Sequence, residues 1–447
     1  MFMKLRLKEL KNIFSIIDVN NIDDEEIFDY FRCGKIYDDK LIKDCINPLY
    51  FFFSIDKKEL DNNGWYVNEI DNRDKINDYL KDNVYVVDKE TVKYIDNEDY
   101  RYIVVDDVLK CIDMLSSYSI SLYNGKAVLV TGSVGKTSTV GLIENVIQDK
   151  VLRIYSKRIT PVIFASYVVN VLNNNYDYVV MESGLYRKFH VEYYSKILKP
   201  YIGCLINIDD SHIGIDGISN RVDILVSKAK MLLHCDKVVL NNNDQLIKDL
   251  KFDNNKLMYK DIFIGEHNIN EVVRIEDFNK NLIPFIDTNL SQVQDEVAYR
   301  VGQLLNIDNN TIINRINNYV PVENRIEKIL LDNKTTFFDG EVSSVPRLKM
   351  FCDNNYSSKV LVIRWLTTGG ENEYDFSGIV DFFDKFDKVY VFSDVKQLKE
   401  IKNDRVEVVD NYQFINSLND DVVIFYHFGS YYRNNDISIL EYIEKER

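Results

Sequence analysis

No two of the six cysteines stand at C-x-x-C spacing; Cys33, Cys45, Cys111, Cys204, Cys235 and Cys352 are scattered along the chain. Scattered cysteines in a long chain read as reduced thiols and point to a cytoplasmic protein. The five histidines form no cluster with them at ligand spacing, which argues against a zinc centre. Proline is scarce at six, and neither Gly/Ser linkers nor repeats of solenoid period divide the chain. The opening MFMKLRLKELKNIF has no uninterrupted apolar segment, and no run reaches bilayer-spanning length, so no membrane insertion is expected. Basic charge is also in deficit. With 55 Lys and Arg against 71 Asp and Glu, the formal charge is -16. No nucleic-acid partner is expected, because phosphate backbones need a basic face.

What remains is a globular composition, 46% apolar and 28% charged over 447 residues, too long for one core. PLYFFFSI (48–55), VYVVD (84–88) and YIVVDD (102–107) read as buried strands, followed by a helical segment at 108–123. From residue 126, KAVLVTG, VLRIYS, YDYVVMES, YIGCLIN and KVVLNNN alternate with helix-length segments, as parallel βαβ units do. Two further helices are expected over 291–306 and 310–320. TTFFDG, KVLVIRW, KVYVFS and DVVIFYHFG then open a second alternating block without G-x-G-x-x-G. The expected class is α/β with mostly parallel sheets. Three domains follow from this reading: 1–122 for substrate binding, 123–320 around a P-loop, and a Rossmann-like 321–447.

The segment 127–147, AVLVTGSVGKTSTVGLIENVI, is the most informative. An apolar strand runs into Gly132, Ser133, Val134, Gly135, Lys136 and Thr137, then into a helix, the order a phosphate loop requires. The glycines let successive N–H groups face phosphates, and the helix N-terminus adds partial positive charge. Lys136 is placed to reach the outer phosphates of ATP, and Thr137 or Ser138 to offer Mg2+ a hydroxyl.

TGSVGKTST resembles the ATP loop of the Mur ligase superfamily, and neighbouring segments resemble that family in order, most like its branch that adds D-alanyl-D-alanine to a UDP-muramoyl-tripeptide. VVMESG (179–184) is similar to the strand ending in an acidic Mg2+ ligand, which implies Glu182. LINIDDSHIG (205–214) resembles a segment that would place Asn207 and His212 at the metal and phosphate site. VSKAKMLL (226–233) resembles the stretch with a carbamylated lysine, matched by Lys230 with Lys228 as the near alternative. PVENRIE (321–327) is similar to a hinge that makes Arg325 an ATP-phosphate contact. FFDGEVSSVP (337–346) resembles a segment that puts Asp339 near the ribose.

The resemblance implies the three-domain Mur ligase architecture and a ligase that joins a small-molecule carboxylate to an amine. ATP and Mg2+ are the implied cofactors. Lys136, Glu182, His212 and Lys230 would be catalytic. Gly132, Ser133, Gly135, Lys136, Thr137, Ser138, Asn207, Arg325 and Asp339 would hold the nucleotide, and Thr137, Glu182, His212 and Lys230 the metal. Departures gather where substrates and adenine would sit. LSQVQDE (290–296) replaces the family's H-N-x-x-N-A, EVSSVP (341–346) replaces Y-N-A-N-P, and the first domain lacks D-S-R. The carboxylate is thus either a UDP-muramoyl-peptide or another acid, such as a capsule sugar acid, a peptide or a cofactor precursor. A catalytically silent nucleotide-binding relative is the other reading.

Overall fold

A computed structural model describes residues 3–33, 47–52, 73–78, 82–155, 159–172, 175–185, 187–210, 213–214, 216–321, 327–331, 334–339, 356–364, 376–393, 402–419 and 422–428. His212, Arg325, the hinge at 322–325 and the segment 340–346 lie outside them.

The first sheet is built from β1 (Asp18–Asn20), β2 (Tyr30–Arg32), β3 (Pro48–Phe51), β4 (Val84–Asp88) and β5 (Arg101–Val105), in the order β1-β5-β4-β3-β2. Only β1 runs antiparallel to its neighbour. Helix α1 (Val108–Leu122) follows, its first turn capped by Asp107, whose carboxylate accepts from the Lys110 amide at 3.0 Å.

The central unit holds β6 (Lys126–Thr131), α2 (Lys136–Ile147), β7 (Val151–Ile154), α3 (Pro161–Asn170), β8 (Tyr178–Ser183), α4 (His190–Leu198), β9 (Ile202–Leu205), α5 (Arg221–Ala229) and β10 (Lys237–Asn241). A small antiparallel meander follows, β11 (Leu250–Asp253), β12 (Lys256–Tyr259) and β13 (Ile262–Glu266), then β14 (Glu271–Ile275), α6 (Asn289–Leu304) and α7 (Asn309–Asn317). The main sheet has the order β14-β10-β9-β6-β8-β7, parallel throughout. Strand β6 lies in its interior, so both of its faces are covered. Alternate side chains point to opposite sides of a strand. Ala127 and Leu129 accordingly join a core with α3, α4 and α5, while Val128 and Val130 join one with α2, α6 and α7. Burying each such aliphatic side chain contributes about 1.5–3 kcal/mol, and this anchors the strand from which the phosphate loop leaves.

Helix α3 ties the first sheet to the central one. Thr160 caps it, Pro161 opens it, and Val162, Ala165 and Val169 enter the core of the first sheet. Asn170 closes the contact: its Oδ1 accepts from Phe31 N and its Nδ2 donates to Phe31 O, both at 2.8 Å.

The last sheet combines β15 (Glu327–Leu331), β16 (Lys334–Asp339), β17 (Lys359–Arg364), β18 (Lys388–Phe392), β19 (Val406–Val409) and β20 (Val423–Phe428). Its order is β15-β16-β20-β17-β18-β19, with only the β15–β16 pair antiparallel. The α/β class with mostly parallel sheets therefore holds. Among the described residues no helix is long and apolar enough to cross a membrane.

Candidate functional site

Chain order places the site. From β6 the chain goes one way to β7 and β8, and later the other way to β9 and β10, so the carboxyl end of β6 is a switch point where open α/β sheets form a crevice. Thr131, Ser183 and Leu205 lie side by side in register there. The phosphate loop leaves β6, Glu182 is the last residue but one of β8, and Asn207 follows β9.

Two glycines shape the loop. A Cβ at Gly132 would lie 2.3 Å from Ile206 Cγ1, so only hydrogen fits. Gly135 has φ +81°, the left-handed region in which a side chain is strained, and it caps α2. Asn207 braces the turn. Its Oδ1 accepts from Ser133 N at 2.8 Å and Val134 N at 2.9 Å, and its Nδ2 donates to Val134 O at 2.9 Å. The resemblance placed Asn207 at the nucleotide; in the structure its amide is spent on the loop itself.

Lys136 curls back over the loop, its Nζ donating to Gly132 O at 2.9 Å and Ser133 O at 3.1 Å. Thr137 Oγ1 donates to Glu182 Oε2 at 2.6 Å. A hydroxyl and a carboxylate in contact at the start of α2 are hard oxygen donors of the kind Mg2+ takes, and that ion keeps several waters rather than needing a full protein cage. Among the described residues no three His, Cys, Asp or Glu side chains converge as a metal cluster, with His212 outside that set.

The two lysines of SKAKMLL are separated clearly. Lys228 is fully buried, and its Nζ donates to Gly132 O at 2.8 Å. Burial, and then the nearby Lys136 ammonium, hold its amine well below the usual lysine range. Lys230, the expected position, instead pairs with Glu192 at 3.2 Å and is partly exposed. Residues two apart on a helix point about 200° away from each other, so only one of the two can face the loop. Asp339 ends β16, its backbone in register with His427 of β20; Ser138 stands in the first turn of α2.

Helix α6 adds residues that the sequence reading named only as part of the segment LSQVQDE (290–296). Gln294 Nε2 donates to Gly135 O at 3.0 Å. Asp295 is 4% exposed and its Oδ2 has no hydrogen-bond partner, whereas its neighbour Glu296 is paired with Arg300 at 2.8 Å. Ser291 and the consecutive Gln294, Asp295 and Glu296 are buried polar residues on a helix whose other buried positions are mostly apolar. That break in the amphipathic pattern was the available signal.

Burial, and secondarily Glu296, push the Asp295 carboxyl from 3.8 up to about 8. The folded protein thus binds a proton at this site that the unfolded chain releases between roughly pH 4 and 8, so the contribution to stability falls as pH rises. Asp295→Asn removes the effect. Its stability relative to wild type, from urea unfolding, should climb across that window by at most about 1.4 kcal/mol per pH unit.

The Mur ligase middle domain family matches residues 130–300. The UDP-N-acetylmuramoylalanine–D-glutamate ligase of Rickettsia prowazekii is 24% identical over 305 residues, 62% of this chain and 62% of that protein. The chain thus matches less than two thirds of that relative's length. Among solved structures, MurF from Acinetobacter baumannii has a TM-score of 0.68 at 11% identity, covering 99% of both chains. MurF ligase from Thermotoga maritima, in complex with ADP, has a TM-score of 0.65 at 15% identity, covering 93% of this chain and 97% of that one. Residues 130–300 thus match the Mur ligase middle domain, and the chain as a whole shares the fold of the MurF structures.

Proposed function

We propose that this protein is an ATP-dependent ligase that joins a carboxylate to an amine through an acyl phosphate, releasing ADP and phosphate. The observation that carries the reading is the convergence of Lys136, Lys228 and the Thr137–Glu182 pair on one phosphate loop. The match to the Mur ligase middle domain and the ADP complex of a fold neighbour support it. The boundaries near 123 and 321 stay part of this proposal, supported by the fact that no described sheet takes strands from more than one of the three segments. The cytoplasm is the compartment proposed; the four described cysteines are free thiols, all buried.

The loop amides and the α2 N-terminus hold the phosphates, and Lys136 moves its ammonium from the loop carbonyls to the outer phosphate oxygens. Thr137 and Glu182 would hold Mg2+, which would supply positive charge to offset that on the transferring phosphoryl group. The substrate carboxylate attacks the γ-phosphorus as the bond to ADP breaks. The amine, entering as the free base, then attacks the acyl carbon, loses a proton and expels phosphate. Lys228, whose amine burial holds well below the usual lysine range, is the lysine proposed for carbamylation in place of Lys230.

The test is ADP release from MgATP with UDP-N-acetylmuramoyl-tripeptide and D-alanyl-D-alanine, and with other carboxylates and amines varied independently. Release that requires both an acid and an amine supports the ligase. Nucleotide binding with no release under any pairing would favour a silent relative.

A further inference from the structure

The segment that follows β9 is laced to the phosphate loop. Ser133 Oγ accepts from Asp209 N at 2.8 Å, and Ser133 N donates to Asn207 O at 3.1 Å. The backbone of Asp209 is therefore one hydrogen bond from the loop, and Asp210 follows it. The Asp209 side chain is mostly buried and that of Asp210 half-exposed. Asp244 meets the same segment, its Oδ2 accepting from Ile208 N at 2.8 Å. Three carboxyl groups thus flank a loop whose proposed ligand is a polyanion. Like charges repel across a partly buried cleft, so this arrangement weakens phosphate binding unless the carboxylates are compensated.

Arg221 supplies the compensation. Its Nε donates to Asp210 Oδ1 at 2.7 Å and its Nη2 to Asp210 Oδ2 at 2.5 Å, the two-pronged geometry of a guanidinium on a carboxylate. Nη2 also reaches Asp209 Oδ1 at 3.4 Å. The hydrogen bonds to Asp210 raise the guanidinium's pKa above its ordinary value, and the charges of Asp209 and Asp244 add to them. Its place in the chain is otherwise unfavourable. Arg221 is the first residue of α5, where the helix dipole favours anions, and Asn220 already caps that end. A cation kept there is not serving the helix. We propose that Arg221 is a positioning residue of the nucleotide site, which neutralises Asp209 and Asp210 so that the segment tied to Ser133 can stand beside a triphosphate.

Charge and scaffolding predict opposite results here. A guanidinium that only clipped the segment in place would be missed as much when its carboxylates are removed as when it is removed itself. A guanidinium that acts by charge becomes dispensable once the two carboxylates are gone.

The role of Arg221 rests on the loop being a phosphate site, and the experiment separates the two claims. MgATP binding is measured calorimetrically for wild type, Arg221→Met, Arg221→Lys, the paired Asp209→Asn and Asp210→Asn variant, and that pair combined with Arg221→Met. At about 0.1 M KCl, Arg221→Met should bind about tenfold more weakly than wild type. At about 1 M the gap should shrink to about threefold or less, because screening then acts within about 3 Å. Arg221→Lys keeps the charge and should stay within about threefold of wild type at the lower salt. The paired Asn variant should bind at least as tightly as wild type, and it should bring Arg221→Met back to within about threefold. Melting midpoints should barely move, since ion pairs this exposed contribute little to stability. If Arg221→Met does not fold, the paired Asn variant decides alone. Wild-type affinity in Arg221→Met, or weaker binding in the paired Asn variant, overturns the role of Arg221 and leaves the loop reading intact. If folded wild type binds no MgATP, both claims fall.

Discussion

Replacing Lys136 with methionine should lower ADP formation by about a thousandfold or more, with little change in thermal midpoint. Methionine keeps an unbranched stem against the loop, so packing is conserved while the charge is lost. In the structure that charge rests on Gly132 O and Ser133 O, two carbonyls that water or Mg2+-bound phosphate can replace. Its removal also relieves the crowding of two amines on one carbonyl, since Lys228 donates to Gly132 O as well. Stability therefore has no reason to fall. In the reaction no other described side chain of the loop is cationic, and phosphoryl transfer depends on neutralising charge in place. Steady-state ADP release and a melting curve on the same preparation check both halves. A variant that retains wild-type turnover would remove Lys136 from the mechanism.

Lys228→Met should cost about a hundredfold to a thousandfold in turnover, and Lys230→Met far less. Lys228 is fully buried with its amine held well below the usual lysine range, first by burial and then by Lys136. A neutral amine retains its lone pair, and CO2 can add to it: an N–C bond forms, the nitrogen gives up a proton, and an anionic carbamate results. Such an anion suits a magnesium site where an ammonium would repel the metal. Added bicarbonate should therefore raise the turnover of dialysed wild type but not of Lys228→Met. Acetate or propionate should partly restore Lys228→Ala by supplying a carboxylate in the vacated space. The ion pair of Lys230 with Glu192 is partly exposed and contributes little in water. Equal losses in the two lysine variants would contradict this assignment.

Much of the core was legible because β6, β8, β9 and β10 are buried strands whose apolar runs end in polar residues at one edge of the sheet. VYVVD gave β4 at its observed bounds, and the two helices after residue 289 were placed within a few residues. The meander Leu250–Glu266 was not read, since its strands have four or five residues, mix buried with exposed positions, and carry Lys, Asp and Glu. β15 and β19 were missed as well: each is short and carries a charged residue, EKILL and VEVV, where VYVVD is apolar up to its last position.

At the site, motif order found Lys136, Thr137 and Glu182, whose spacing is dictated by one strand–loop–helix unit and its neighbour. It failed to choose between Lys228 and Lys230, because composition does not report which side of a helix meets the loop. Asn207 was located but not its task, which depends on amide geometry invisible in sequence. Asp295 was named only within LSQVQDE (290–296), because an acidic residue in a polar helix reads as solvated until its burial is seen.

The central claim is most directly tested by a crystal structure with Mg2+ and a non-hydrolysable ATP analogue. The account predicts triphosphate oxygens against the amides of 133–138, with Mg2+ between Thr137 Oγ1 and Glu182 Oε2 and the Lys136 ammonium drawn off Gly132 O. Nucleotide bound elsewhere, or a metal ion remote from Glu182, would contradict it.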